Sequence, residues 1–356
     1  MSGSSLVIRS ETPPEGGAEF GPARRRGTTK TLVWLFLRNP VIPLLVIGLT
    51  CFCLFVPYFA TIADLRNIAL ETPVLLLLAG GGAVVLITGN FDLSTEGTLE
   101  FTSVLAGWLM VKAYPGGPFG LSPFIVLPLI VLVGCLIGVV NGVFVSVLKV
   151  NPFIVTLTTM LILKGAAAIP TQANTIYQLP SAYEWVGNST WGGFSAIAFV
   201  AVALYALLLL YMRYSLFSRH CYAIGGNSQA AVENGIPVKR VIIGAYALSG
   251  GFAAIAGWLD AARVASASPG LDDGIIFTVF AAMVIGGVSL VGGRGSLLGA
   301  AAGALLMTCV NNVLNLVALP PLYVDFVRGL VLLIAVLLIV TRQKIAARVG
   351  IQEPAW

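Results

Sequence analysis

Asp92, Glu96 and Glu100 stand four residues apart in the stretch LITGNFDLSTEGTLEF, Leu86–Phe101, between two apolar runs. On one continuous helix they would form a single stripe, and like charges at i,i+4 repel. Turned toward lipid, such a stripe is very unfavourable. The segment therefore either begins a helix or lines water. Gly89 and Asn90 end the preceding run. Asp92 or Ser94 can cap a helix beginning there, and carboxylates in a first helical turn sit well against the helix dipole. The stretch reads as a break between two half-helices, with non-helical backbone lining a cavity at membrane depth. A plain loop with solvated acids is the other reading. If the break lines a path, Asn90, Asp92, Ser94 and Glu96 can hydrogen-bond a polar solute. Asp92, Glu96 and Lys164 could instead relay protons.

Other polar residues lie in or beside apolar runs: Asn141, Asn151, Thr156, Thr158, Thr159, Lys164, Asn311, Asn312 and Asn315. A single Asn or Thr in a membrane helix commonly bonds one helix to another. Three amides within Asn311–Asn315 are more than gluing one helix requires. An ammonium inside a span, as at Lys164, needs a partner or water. The candidate path residues are thus Asn90, Asp92, Ser94, Glu96, Asn141, Thr156, Lys164, Asn311, Asn312 and Asn315. Catalytic chemistry finds little support. There is one histidine, His220, and the five cysteines (Cys51, Cys53, Cys135, Cys221, Cys309) form no metal-ligand spacing. No G-x-x-x-x-G-K phosphate loop is present. No catalytic residue, metal or cofactor is expected, and any ATP chemistry belongs to another chain.

The elements that must position these groups are set by composition. The chain has 356 residues, 58% hydrophobic and 10% charged, with mean hydropathy +0.95. Soluble domains carry about 25% charged residues, so this is an integral membrane protein, with the lipid bilayer as its partner and no nucleic acid. The apolar runs are continuous rather than alternating, which makes the spans helices. The expected fold is an all-α polytopic membrane protein with about ten transmembrane helices, near 41–59, 73–89, 98–112, 124–148, 153–170, 194–212, 241–260, 275–291, 296–317 and 323–341. Residues 1–38 read as a disordered basic tail, 39–345 as the transmembrane domain and 346–356 as a short C-terminal tail. Basic residues favour the cytoplasmic side. Arg24–Arg26, then Arg213, Arg219, Lys239 and Arg240, then Arg342, Lys344 and Arg348 fall on one side if the count is even. Loop 171–193, with no Lys or Arg, falls outside.

An internal repeat is suggested. ITG at Ile87–Gly89, seven residues, then GTL recurs as IGG at Ile285–Gly287, seven residues, then GSL. The copies are six spans apart, so they should share orientation, as repeats in transporters often do. Chance matching of Gly-rich words is the alternative. Between them, loop 213–240 carries GGNSQAAVENGIP. Gly225-Gly226 reads as a flexible turn, Asn227 or Ser228 as a cap, Gly235 as the C′ residue and Pro237 as a stop. Such a two-turn helix is marginal alone in water and is expected to be held by a partner or the membrane surface. Ala230 and Ala231 give it small faces for close docking.

The Gly-Gly-Asn-x-x-Ala-Ala helix resembles the coupling segment of ABC importer permeases of the ribose/xylose-type monosaccharide family. TGNFDLS looks like that family's Thr-Gly-Gly-Ile-Asp-Leu-Ser, and NPFIVTLTTMLILKGAA like its Pro-Phe-Ile-x-Thr-Leu segment. VIGGVSLVGGRGSLLGAAAGALL and NNVLNL match its C-terminal block. The resemblance covers about residues 40–341. Lys164 stands where the family usually has Arg, and Thr95-Glu96 replaces a usual single residue before Gly97. The resemblance implies a passive, non-enzymatic permease of the bacterial inner membrane with both termini cytoplasmic. It implies a second permease copy or homologue, a cytoplasmic ABC ATPase, and an external binding protein that delivers a monosaccharide or related polyol. Gly225, Gly226, Asn227, Ala230, Ala231 and Gly235 would form the ATPase-coupling element. An amino-acid substrate and an ion-coupled secondary transporter are the alternatives.

Overall fold

The computed structural model describes residues 41–111 and 119–318, and beyond them 320, 323–324, 326–331, 333–334, 337 and 341. The tail 1–38, the segment 346–356 and Arg342, Lys344 and Arg348 lie outside the described residues. The helices are α1 (Val41–Phe55), α2 (Ile62–Ile87), α3 (Ser94–Met110), α4 (Pro123–Ser146), α5 (Pro152–Thr171), α6 (Ser181–Asn188), α7 (Ala196–Tyr214), α8 (Leu216–Gly226), α9 (Ser228–Glu233), α10 (Val238–Val264), α11 (Ile275–Ile285) and α12 (Leu297–Leu316). Helical residues resume at 323–324 and 326–331. One antiparallel hairpin joins β1 (Thr190–Trp191) to β2 (Phe194–Ser195). Each expected span meets helix, but among the described residues six helices alone are long and apolar enough to cross a membrane: α2, α4, α5, α7, α10 and α12.

The helix α2 runs through the centre, and every residue from Pro73 to Ile87 is buried. It begins eleven residues before the expected start at 73. Thr61 caps it by accepting from Asp64 N–H at 3.2 Å, and Pro73 lies inside it without ending it. Proline removes one backbone donor. The neighbouring Thr72 hydroxyl donates to the Ile68 carbonyl at 2.6 Å in that turn.

Glycines let α4 and α10 approach closely. Gly134, Gly138 and Gly142 form one face of α4 and meet Gly250, Tyr246 and Ile243 of α10. A Cβ added at Gly142 would lie 2.7 Å from Ile243 Cα. Small residues at i, i+4 and i+8 serve helix contact in membranes in this way, because van der Waals packing there replaces the hydrophobic drive.

Of the four expected spans outside those six, α1, α3 and α11 are too short, and 323–341 is only partly among the described residues. The start of α3 lies beside Ser249, about 16 Å in from the first residue of α10 at 1.5 Å per residue. From there α3 runs alongside α10, with Leu99 against Gly257 and Gly107 against Ala267. It begins deep in the protein, but the helix before the break, α2, is a full 26-residue span and not the half-helix expected on that side. The 11-residue α11 starts beside Glu96 and ends at the loop 286–296.

The two ends of α10 carry different loops. At its C-terminal end the segment 171–193 folds back. Ile176 and Ala267 exchange backbone hydrogen bonds at 2.8 and 3.0 Å, and the Tyr183 hydroxyl donates to the Trp258 carbonyl. At its N-terminal end lie α8 and α9. There Gly225 and Gly226 are the last turn of α8, not a flexible turn. A side chain on Gly225 would collide with the Ile87 carbonyl and Gly293. Gly293 N–H donates to Ile87 O at 2.9 Å, and the Tyr222 hydroxyl to Gly295 O at 2.9 Å. The loops 88–93 and 286–296, the two segments with matching glycine words, thus meet each other and the end of α8.

Candidate functional site

The expected path residues separate into three clusters and some isolated contacts. The first surrounds the start of α3. Leu93 at the N-cap position has no capping side chain, and Asp92 supplies one. Its Oδ1 accepts from Ser94 N–H at 3.0 Å and the Ser94 hydroxyl at 2.6 Å, while Oδ2 accepts from the Ser249 hydroxyl at 2.7 Å. Asn141 donates to Ser94 Oγ at 2.9 Å and accepts from Thr159 at 2.7 Å. Asp92, Ser94, Asn141 and Ser249 are all buried. The cluster therefore ties α3, α4, α5 and α10 together, and the polar side chains that form it are largely used up in doing so.

One turn along α3, Glu96 answers the problem posed by Gly274. Gly274 takes the N-cap of α11 at φ +83° and has no side chain to cap with. The Glu96 carboxylate accepts from Gly274 N–H at 3.1 Å and Ile276 N–H at 2.9 Å. Lys164 of α5 pairs with both Glu96 and Asp273. Glu100 reaches the same connection, accepting from Gly270 N–H at 2.7 Å. The three carboxylates Asp92, Glu96 and Glu100 thus each hold a backbone amide. Their four-residue spacing lets Glu96 and Glu100 grip the 265–276 segment from one face of α3.

The third cluster surrounds a cavity of about 210 Å³. It lies between α2, α10, α11, α12 and the helical residues 324 and 328. Its walls carry Glu71, Asp260, Arg263, Asp272, Asp273 and Arg328, with Asn311, Asn315, Thr278 and Thr308. Arg263 donates to Asp260 at 2.6 Å, and Arg328 to Asn311 at 3.3 Å. Asp272 lies in the α10–α11 connection, where burial and then the neighbouring Asp260 push its carboxyl above the usual range. An apolar run interrupted by LDAAR was the signal in the sequence for Asp260 and Arg263. Glu71, Asp272 and Arg328 carried no local pattern.

Among the expected residues, Asn311 and Asn315 line this cavity, but Asn312 does not. It donates to the buried Asp64 at 2.6 Å and ties α12 to the first turn of α2. Thr156 is fully buried, and its hydroxyl donates to Pro152 O of its own helix. Asn90 donates to the Thr88 hydroxyl at 3.0 Å. In the coupling element, Asn227 caps α9 by accepting from Ala230 N–H at 3.0 Å, and Gly235 has φ +77°. Ala231 corrects the expected docking face. It is 4% exposed and packs into the core, while Val232 on the next position is 58% exposed. A side chain at i+1 points about 100° away on a helix of 3.6 residues per turn, so burying Ala231 leaves Val232 turned toward the surface.

Long buried helices, half-helices that begin in the interior and charges held among them define a polytopic α-helical membrane protein. A family model described as branched-chain amino acid transport system / permease component matches residues 65–336. The chain belongs to this permease family, on its monosaccharide-importer side. It is 34% identical over 284 residues to the ribose import permease protein of Bacillus subtilis, covering 79% of this chain and 86% of that one. It is 30% identical to the L-arabinose ABC transporter permease protein of Azospirillum brasilense, covering 94% and 96%. It is 32% identical to an autoinducer 2 import system permease of Salmonella paratyphi B, covering 79% and 81%. No solved structure matches the chain.

Proposed function

We propose that this chain is the permease subunit of an ATP-driven importer for a monosaccharide or related polyol. The observation that carries the reading is its similarity, across most of both chains, to permeases named for ribose and arabinose import. The subunit works as a pair, with itself or a homologous permease, together with a cytoplasmic ATPase and an external solute-binding protein. It crosses the inner membrane ten times, with α3 and α11 completing their crossings through the connections 88–93 and 286–296. Those two connections are the related parts of an internal repeat. The α8–α9 end is cytoplasmic, in keeping with Arg213, Arg219, Lys239 and Arg240. The 171–193 end receives the solute. On the cytoplasmic side, α9 meets the ATPase through the exposed Val232 and Glu233. A push there reaches Gly225 and passes to Ile87 and Gly293, which precede α3 and α12.

The test is reconstitution of the permease with its ATPase in proteoliposomes, with loaded binding protein outside. ATP-dependent accumulation of labelled D-ribose or L-arabinose is expected. Uptake of branched-chain amino acids but no sugar would move the substrate to the amino-acid reading. Uptake driven by a proton gradient without ATPase would overturn the importer itself.

A further inference from the structure

The α10–α11 connection is held differently along its length. Its first part is tied by backbone, through Ala267 to Ile176. Beyond that, among the described residues, no backbone–backbone hydrogen bond joins 270–274 to any element other than α11, into which it leads. What holds it is side chains from α3 and α5. Glu100 accepts from Gly270 N–H at 2.7 Å, and Glu96 from Gly274 N–H at 3.1 Å. Lys164 pairs with Glu96 and also with Asp273, which lies between the two glycines. Segments with few ties open locally at lower cost than the core does. Ties made by side chains are released by rotamer changes, with no helix or ladder broken.

The ends of this segment are built to turn. Gly270 and Gly274 have φ +77° and +83°. Glycine adopts either sign of φ with little penalty, and hinges are a few loop or element-terminal residues that absorb large changes of φ and ψ. A Cβ at Gly274 would meet nothing within 4 Å, so no neighbouring atom demands glycine there. The backbone conformation does. Between the glycines, Leu271, Asp272 and Asp273 form part of the wall of the cavity between α2, α10, α11 and α12. Their other side meets the surroundings. The Asp273 side chain is 66% exposed, against 2% for Glu96. A single layer of chain therefore separates the cavity from the surface here.

We propose that residues 270–274 form a lid over this cavity, hinged at Gly270 and Gly274 and latched by Lys164. The ammonium carries the latch because it touches both parts, Glu96 on α3 and Asp273 on the lid. Glu96 and Glu100 stand one turn apart on α3 and fix where the two hinges sit when the lid is closed. Release of Asp273 leaves the Lys164–Glu96 pair in place. The α11 terminus also keeps its cap, since Glu96 holds Ile276 N–H beyond the hinge at 2.9 Å. Asp260 and Arg263, against which Asp272 lies, stay behind on α10 as the lid lifts. That the lid lifts toward the outside rests on the proposed orientation; the lid itself does not.

The experiment follows the reaction of Thr308→Cys with a membrane-impermeant trimethylammonium methanethiosulfonate, in the full-length permease in lipid nanodiscs. Thr308 is buried on the cavity wall in α12, and Asn311→Cys serves as a second reporter on that wall. Modification is read at the substituted position by peptide mass. The native Cys221 of α8, buried at the other end of the molecule, reports general loosening. Slow reaction is expected with the latch intact. Adding Lys164→Met should speed it about fivefold, the equivalent of roughly 1 kcal/mol, while Cys221 stays protected. Asp273→Asn loses only the exposed arm and should speed it by about twofold. Lys164→Arg keeps the charge and should react as slowly as the chain with Lys164. Fast reaction with the latch intact, no acceleration in Lys164→Met, equal acceleration at Cys221, or a Lys164→Arg chain as fast as Lys164→Met overturns the latched lid. In spheroplasts the acceleration should appear with reagent added outside. Acceleration in inverted membrane vesicles alone would reverse the proposed orientation and leave the lid standing.

Discussion

The start of α3 and the cavity between α2, α10, α11 and α12 are both polar regions inside an apolar bundle, but they handle their polar groups differently. Around Asp92 the carboxylate oxygens have their donors, and Asn141 joins Ser94 to Thr159. Around the cavity, Thr278 stays unpartnered among the described residues and Asn315 faces open space. A buried polar network that is satisfied fixes the geometry of the elements that contribute to it. One left open is available to a ligand. The contrast divides polar groups that fix the helices against one another from polar groups left without a partner among the described residues.

The division breaks most plainly at Asp92. Asp92→Ala would leave Ser94 N–H and the Ser249 hydroxyl buried without their acceptor. A loss of about 3 kcal/mol or more is expected, read as a lower thermal-unfolding midpoint. Thiol-reactive dye reporting on the buried Cys221 and Cys309 gives that midpoint. Asn315→Leu at the cavity should stay within about 0.5 kcal/mol of wild type, as exposed substitutions do. Equal losses in the two variants would erase the distinction.

Glu96→Gln tests an intermediate case. The amide can still accept from the α11 amides but gives up the charge that meets Lys164 and the helix terminus. A destabilisation of about 1–2 kcal/mol is expected, with Lys164→Met giving less. A Glu96→Gln protein as stable as wild type would mean the carboxylate does not hold α11.

At the other end of the molecule the same contrast applies to α9. Ala231→Trp forces a large side chain into packed core and should cost about 1–3 kcal/mol. Val232→Trp leaves the fold intact and should lower binding-protein-stimulated ATP hydrolysis several-fold. Full stimulation in a stable Val232→Trp complex would remove the outward face of α9 from the ATPase contact.

The smallest effect concerns pH. Asp272 lies against Asp260 and Arg263 of α10 and near Glu100 of α3. Its folded carboxyl holds the proton more tightly than an unfolded one, which titrates near roughly 4. As pH rises from there, the unfolded chain loses the proton first, so stability falls until the raised carboxyl also ionises. Asp272→Asn stays neutral, and its melting temperature should vary less across that window. An unchanged slope would show that Asp272 is ionised in the folded protein.

Much of the bundle was legible in the residues themselves. Long apolar runs dictate helices because lipid offers no partner for backbone amides, and that rule is local. The Asn227 cap and the left-handed Gly235 depend equally on neighbours in the chain. So does the break at Gly89–Leu93, where glycine and a capping carboxylate interrupt an apolar run. The partners of those polar groups were not legible. Nothing near Glu96 announces that it caps a helix 178 residues later, and nothing near Asn312 announces Asp64. Ala230 and Ala231 look alike in sequence, yet packing of α9 against the core turns Ala231 inward. Helix formation is decided within a few residues, whereas satisfaction of a buried charge depends on whichever distant backbone the fold brings to it. The sequence therefore determined where this chain is apolar enough to form helices and where it breaks, and the tertiary structure decided which of its polar groups are tied down and which remain open.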